Sequence, residues 1–194
     1  LLAPETPDAA DGETRPAEGA VAEHGLPYLA EPLHFEAVFA QHGRYVANVV
    51  LRVLGRDHEV DDVVQEVFLT AMSGLLTVRN PAAVRGWLKT IAVRKACRHL
   101  RRRRLRSLLG RDREASYEHV AAPGCSPEER ALLSRVYREL DKVPAAERVA
   151  WTLRYVDGER VEAVAELCGC SLATAKRRIA AAQATLERTF HHGR

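Results

Sequence analysis

Eight basic side chains fall within thirteen residues of this chain: Arg94, Lys95, Arg98, Arg101, Arg102, Arg103, Arg104 and Arg106. A run of that density repels itself unless solvent or phosphates surround it. With the aromatic Trp87 and the further cation Lys89 just upstream, the pattern suits a nucleic-acid strand, with guanidinium groups for the backbone and an indole for stacking. A second basic group, Lys176, Arg177 and Arg178, follows Ser171, Ala173 and Thr174. If these residues open a helix, Thr174 and Arg178 reach base edges while Lys176 and Arg177 reach phosphates. A third group is acidic: Asp61, Asp62, Gln65 and Glu66, with Leu69 placed among them. A leucine there is either one ordinary exposed side chain or the anchor of a docking face.

Catalysis is not indicated. Asp61, Asp62 and Glu66 are the only dense acids, and no second segment offers them a metal-ligand partner or a nucleophile with its base. The chain therefore reads as a non-enzyme with no cofactor and no metal. Four cysteines stand at 97, 125, 168 and 170. Cys168-Gly169-Cys170 is too tight for a zinc knuckle and lacks a second pair, although His191 and His192 offer nitrogens. Small packing residues are the expected role, with metal or redox sensing as the rival.

The elements that position these groups follow from the apolar spacing. Val60, Val63, Val64, Val67, Phe68 and Ala71 recur at i, i+3, i+4, i+7, i+8 and i+11, one face of a helix over Asp57–Met72 whose other face is the acidic group. Before it, Pro32 opens a helical pattern through Phe35, Val38, Phe39, Val46, Val49, Val50, Val53 and Leu54, with Gly55 as its stop. After it, Asn80-Pro81 begins a third helix whose apolar face starts with Val84, Trp87, Leu88 and Ile91 and then turns basic. Residues 108–125 lose periodicity and read as a linker. Ser126-Pro127-Glu128-Glu129 restarts structure as a capping box, before a stripe of Leu132, Leu133, Val136, Tyr137 and Leu140. Pro144 starts a further helix, with Val149, Trp151, Leu153, Tyr155 and Val156 available for burial. Val161–Leu167, a turn at Cys168–Cys170, and a helix capped by Ser171 carry helix-turn-helix punctuation: Ala165 is small at the crossing, Gly169 turns sharply, and Leu172, Ala175 and Ile179 face inward.

The chain has 194 residues, 46% hydrophobic and 28% charged, which suits one or two small domains. Residues 1–31 hold seven acids and one base, a balance of −6 that leaves +9 for the remainder of a chain whose net charge is +3. That stretch is expected to be a disordered acidic arm, either inert or acting as a charge decoy over the basic body. No apolar run is long enough to span a bilayer and no signal peptide is visible, so a cytoplasmic protein without membrane insertion is expected.

Two motif sets in this order resemble one family. DDVVQEVFL resembles the D-x-V-Q-E-x-F segment of conserved region 2 of bacterial sigma factors, and Trp87-Leu88 followed by Ile91-Ala92 resembles its W-L-x-x-I-A segment. ERVAWTLRYVDGERVEAVAELCGCSLATAKRRI resembles region 4. With only these two regions, over about residues 33–190, the chain resembles an extracytoplasmic-function sigma factor of the sigma-70 family. The resemblance implies an all-α fold of two small helical domains joined by a flexible linker: a region 2 bundle over 32–107 and a region 4 helix-turn-helix over 126–190. It implies that Asp61, Asp62, Gln65, Glu66 and Leu69 dock on the β′ clamp helices of core RNA polymerase, with the β flap a further contact. Trp87, Lys89, Arg94, Lys95, Arg98, Arg101 and Arg102 would attend the melted −10 element, in or near the nucleoid. Ser171, Ala173, Thr174, Lys176, Arg177 and Arg178 would read the −35 duplex. An anti-sigma factor is the implied regulator. Arg94 and Arg98 stand where the family often has Asn and Asp or Asn, which implies a more electrostatic strand capture. Ala180, Ala181, Ala182 and Gln183 stand where it usually continues with bases, which implies fewer phosphate contacts. The rival function is a helix-turn-helix regulator that acts on operator duplex without polymerase.

Overall fold

The computed structural model describes residues 34–109, Tyr117, Val120 and 124–191. The acidic arm, His192 and most of the expected linker lie outside these residues. All regular elements among the described residues are helical. None is long and apolar enough to cross a membrane.

Helix α1 spans Phe35–Leu54 and ends where Gly55 turns left-handed at φ 73°, its N–H donating to the Leu51 carbonyl at 2.7 Å. A Cβ on Gly55 would also lie 2.4 Å from the Tyr137 ring, so glycine is required there on two counts. After one tight turn at Asp57–Glu59, α2 runs over Val60–Gly74. Tight turns at Leu75–Thr77 and Pro81–Ala83 follow, the latter opening on Asn80, whose side chain accepts from the Ala82 N–H at 2.9 Å. Helix α3 then spans Val84–Leu108. Its apolar stripe does not stop where the basic run begins: Ala92, Val93, Ala96, Leu100 and Arg103 continue it inward. Small residues at 92 and 96 let α3 lie close against α1 and α2 while Arg94, Arg98, Arg101 and Arg102 project outward.

Helix α4 spans Pro127–Leu140 with the expected capping box. The Ser126 hydroxyl accepts from the Glu129 N–H at 3.2 Å, and the Glu129 carboxylate accepts from the Ser126 N–H at 2.8 Å. Helices α5 (Ala145–Tyr155), α6 (Val161–Cys168) and α7 (Leu172–His191) follow. Several residues expected inside are exposed: Phe39, Leu132, Tyr155 and Leu172.

One apolar core runs from Val46, Val50 and Leu54 through Val63, Val67 and Leu88 to Val149, Leu153, Val164 and Ala175. Burying each of these valines and leucines contributes about 1.5–3 kcal/mol against chain entropy. A smaller cluster gathers Tyr117, Tyr137, Leu140 and Leu186. The two helical halves, α1–α3 and α4–α7, are therefore in contact, and residues from Pro32 onward form one contact unit. Helix α3 packs on α5 and α6, and α1 on α5.

Candidate nucleic-acid interface

On α2, Asp61, Asp62, Gln65 and Leu69 are exposed, Leu69 by 59%. Leu69 is not alone. Phe39 and Met72 are also about half exposed, and together with Phe35, Val64, Phe68 and Leu69 they line an open groove of ≈ 460 Å³ edged by Asp61 and Gln65. The three phenylalanines brace it, with the Phe39 and Phe68 rings 4.8 Å apart edge to face. Sequence reasoning passed over Met72 and assigned Phe39 to the core. The available signal was the spacing Asp62, Gln65, Leu69, Met72, a second stripe on α2 that the valines do not need. Glu66 is half-buried and paired, 3.5 Å from Arg102 and 3.7 Å from Lys95. The acidic face thus reaches into the basic helix beside it.

The basic run of α3 divides into three kinds of side chain. Arg94, Arg98, Arg101, Arg102, Arg104 and Arg106 are exposed. Lys95 is half-buried beside Glu66. Arg103, counted in the sequence with the phosphate-facing arginines, is 4% exposed and turned inward. It donates to Glu59 at 2.8 Å, to Asp141 at 2.6 Å and to the Leu54 carbonyl at 3.3 Å. Four consecutive helical residues cover every side, so one of Arg101–Arg104 had to face the core. Lys89, also expected at nucleic acid, is held in a double ion pair with Asp157 and with Glu159 at 2.6 Å. In this conformation its charge belongs to the loop after α5. Trp87 is half-buried against Gly74, where a Cβ would lie 2.9 Å from the indole.

In the helix-turn-helix, Gly169 adopts φ 60° and the Cys170 N–H closes the turn on the Ala165 carbonyl at 2.9 Å. Ser171 caps α7 by accepting from the Thr174 N–H at 3.2 Å, and its hydroxyl donates to Thr174 Oγ1 at 2.9 Å. Ser171, Ala173, Lys176 and Arg177 are exposed, Thr174 and Arg178 half-buried. Ala175, Ile179, Ala182 and Leu186 face inward, and Gln183 accepts from the Trp151 indole at 2.7 Å. The stretch that lacks the expected bases is thus partly given to packing on α5.

Sequence reasoning missed the joint between the halves entirely. Asp141, after α4, receives Arg56 at 2.8 Å, Arg103 at 2.6 Å, Arg148 and the Tyr117 hydroxyl. Arg148 is 1% exposed and also donates to the Leu54 carbonyl at 2.6 Å and the Val53 carbonyl at 3.3 Å. Burial works against ionisation of Asp141, yet Arg148 and Arg103 hold its carboxyl below the usual range. Burial likewise opposes the Glu59 charge, but His99 and Arg103 keep it down to about 2. His99 Nε2 lies 3.3 Å from Glu59 Oε2 without the alignment of a hydrogen bond. No cluster among the described residues could hold a metal ion.

Residues 38–106 match the family model for sigma-70 region 2, and residues 133–186 that for sigma-70 region 4. The chain is 26% identical over 165 residues to the RNA polymerase sigma-H factor of Pseudomonas aeruginosa, covering 80% of this chain and 86% of that one. It is 29% identical over 162 residues to the ECF RNA polymerase sigma-E factor of Escherichia coli strain K12, covering 79% and 84%. A Xanthomonas campestris protein, "Probable RNA polymerase sigma factor RfaY", is 33% identical over 130 residues, and the chain spans 32% of its length. Among solved structures the fold resembles the sigma factor RpoE in complex with the anti-sigma factor NepR from Bartonella quintana, with a TM-score of 0.60 at 20% identity over 82% of this chain and 98% of that one. It also resembles CnrH in complex with the cytosolic domain of CnrY, with a TM-score of 0.52 at 24% identity over 82% and 89%.

Proposed function

Because this chain belongs to the sigma-70 family of RNA polymerase sigma factors, in its extracytoplasmic-function group, a family of non-enzymatic initiation factors, we propose that it directs core polymerase to promoters through two separate surfaces. Residues 32–107 act as region 2 and 126–190 as region 4, with 108–125 connecting them. The groove of Phe39, Leu69 and Met72, rimmed by Asp61 and Gln65 with Asp62 exposed on the same helix, takes the β′ clamp helices. An apolar centre with a charged rim is the anatomy of a specific protein contact. Arg94, Arg98, Arg101 and Arg102 then hold the melted −10 strand beside Trp87. Lys176, Arg177 and Arg178 place α7 on the −35 duplex, with the β flap holding region 4.

The observation that carries this reading is the union, in one chain, of that exposed apolar groove on α2 with an exposed, capped helix-turn-helix basic end on α7. The two elements lie about 25 base pairs apart by their names, or about 85 Å at 3.4 Å per base pair. In the packed protein Arg94, Arg98 and Arg101 of α3 line one cleft of ≈ 470 Å³ together with Arg178 of α7. The packed halves therefore separate when both elements are engaged, and Lys89 is released from Asp157 and Glu159 for DNA. The closed state is one an anti-sigma factor stabilises, in keeping with relatives of the same fold that bind NepR and CnrY. The work is done in the cytoplasm, where the polymerase and its promoters are.

Transcription in vitro, with core polymerase and a promoter library, tests the reading. Promoter-specific transcripts that require both this chain and core polymerase are expected. Tight sequence-specific binding to duplex alone, with no effect on transcription, would replace it with a helix-turn-helix regulator acting without polymerase.

A further inference from the structure

Between α3 and the helix-turn-helix lies an open cleft of ≈ 470 Å³, a size that holds a small ligand. Arg94, Arg98 and Arg101 enter it from α3, and Arg178 from α7. The Arg94 guanidinium lies against the turn itself, with Nη2 3.8 Å from where a Cβ on Gly169 would stand. Arg178 and Arg101 both act on the Cys97 thiol, so cations from the two halves converge on one wall. Among the described residues, no carboxylate lines the cleft.

Arg94, Arg98 and Arg101 are exposed and Arg178 is half-buried, and no described residue of the cleft offers the four a counter-charge, unlike the cations of the joint. Every buried or half-buried cation at the joint, Arg56, Arg103, Arg148 and Lys89, meets Asp141, Glu59, Asp157 or Glu159. The thiols of the cleft do not substitute: burial pushes Cys168 up to about 12 and raises Cys97, so both stay neutral. Opposite the arginines, Val149 and Leu167 supply an apolar wall. A ligand that matches this lining carries several linked negative charges and tolerates an apolar flank.

We propose that this cleft is a binding site for a polyphosphate-bearing anion, which the arginines of both halves grip only while the halves are packed together. The ligand binds one conformer and not the other, so it draws the population toward the closed state. Free inorganic polyphosphate and a nucleoside polyphosphate share the recognised chemistry. The inference is independent of polymerase docking, since it concerns the protein alone.

The test is calorimetric titration of the full chain, without polymerase or DNA, with tripolyphosphate and separately with a nucleoside triphosphate at physiological ionic strength. Saturable one-site binding of tripolyphosphate is expected, together with a raised unfolding temperature. The double variant Arg94→Gln/Arg178→Gln should weaken it by about tenfold or more, two charge-assisted contacts being lost. Lys176→Gln/Arg177→Gln, outside the cleft, should leave it within about twofold. Tighter binding of the nucleoside form supports a base on the apolar wall, and equal binding supports the phosphate chain alone. Absence of saturable tripolyphosphate binding by the wild-type chain overturns the proposal. So does equal weakening by the two double variants, which would mean diffuse attraction. Circular dichroism on each variant separates lost binding from lost fold, and promoter-specific transcription stands or falls apart from either result.

Discussion

Arg103, in the middle of the arginine run, donates to Asp141 at 2.6 Å and so joins the end of α3 to the turn after α4. Asp141 also receives Arg56 and Arg148, which makes one carboxylate the counter-charge of three guanidinium groups. Asp141→Asn should therefore destabilise the protein by about 3–5 kcal/mol, the cost of leaving buried charge uncompensated. Asp62→Asn, on the exposed face of α2, should stay within about 0.5 kcal/mol. Urea unfolding of the two variants checks this, and equal midpoints would remove the joint from the account of stability.

That joint marks where reading the sequence ran out. The helices were legible because Val60–Ala71, the Ser126–Glu129 box and the Gly55 and Gly169 stops are local signals of spacing and backbone conformation. Leu69 was legible as an outward-facing side chain because it stood among acids. Arg103 and Lys89 were not legible as structural residues. Their partners lie 38 and 68 residues away, and composition treats every cation in a run alike. The buried core also crosses from one half to the other, which no period within a single helix reveals.

Acid should destabilise the protein by protonating Glu59, whose partners Arg56, His99 and Arg103 lie within α1–α3, and Asp141, which ties the two halves together. Burial alone would raise the Glu59 carboxyl, but His99 and Arg103 keep it at about 2 against an ordinary 4.5. The unfolded chain binds that proton more readily, so the contribution is complete above about pH 4.5 and is lost as pH falls toward 2. Its size is on the order of 3 kcal/mol, and Asp141, shifted downward as well, adds in the same direction. Unfolding free energy measured from neutral pH to about pH 3 should fall in the wild type and fall less steeply in Glu59→Gln. Parallel profiles would assign the acid sensitivity elsewhere.

The groove on α2 makes its own demand on core polymerase. Leu69→Ala and Met72→Ala each remove an exposed apolar contact and should weaken core binding by about 1–2 kcal/mol apiece, with stability little changed. Their effects should couple, because both side chains line one groove. Glu66→Lys is a poorer probe, since Glu66 already faces Lys95 and Arg102 within the protein. Surface-bound core polymerase titrated with each variant gives the affinities, and unchanged values for the double variant would move the docking surface off α2.

The exposed arginines at the end of α3 are separable from the buried one, and that separation is the sharpest test of their role. Arg101, Arg102 and Arg104 project into solvent, while Arg103 is fixed to Glu59 and Asp141. Replacing the three exposed residues with Gln leaves the joint intact, so the unfolding midpoint should hold. Three neighbouring side chains cannot all face one DNA backbone, and about two should make phosphate contacts. The logarithmic salt slope of open-complex formation should then become shallower by about two contacts' worth, roughly 1.4 to 1.8 depending on strandedness. Adding Arg103→Gln should cost stability and leave that slope where the triple variant put it. Core binding should survive in the triple variant, because the groove lies on α2. A slope in the triple variant equal to wild type would take these arginines away from DNA. A slope that changes only when Arg103 is added would mean that the joint, rather than the exposed charges, governs the opening of the promoter.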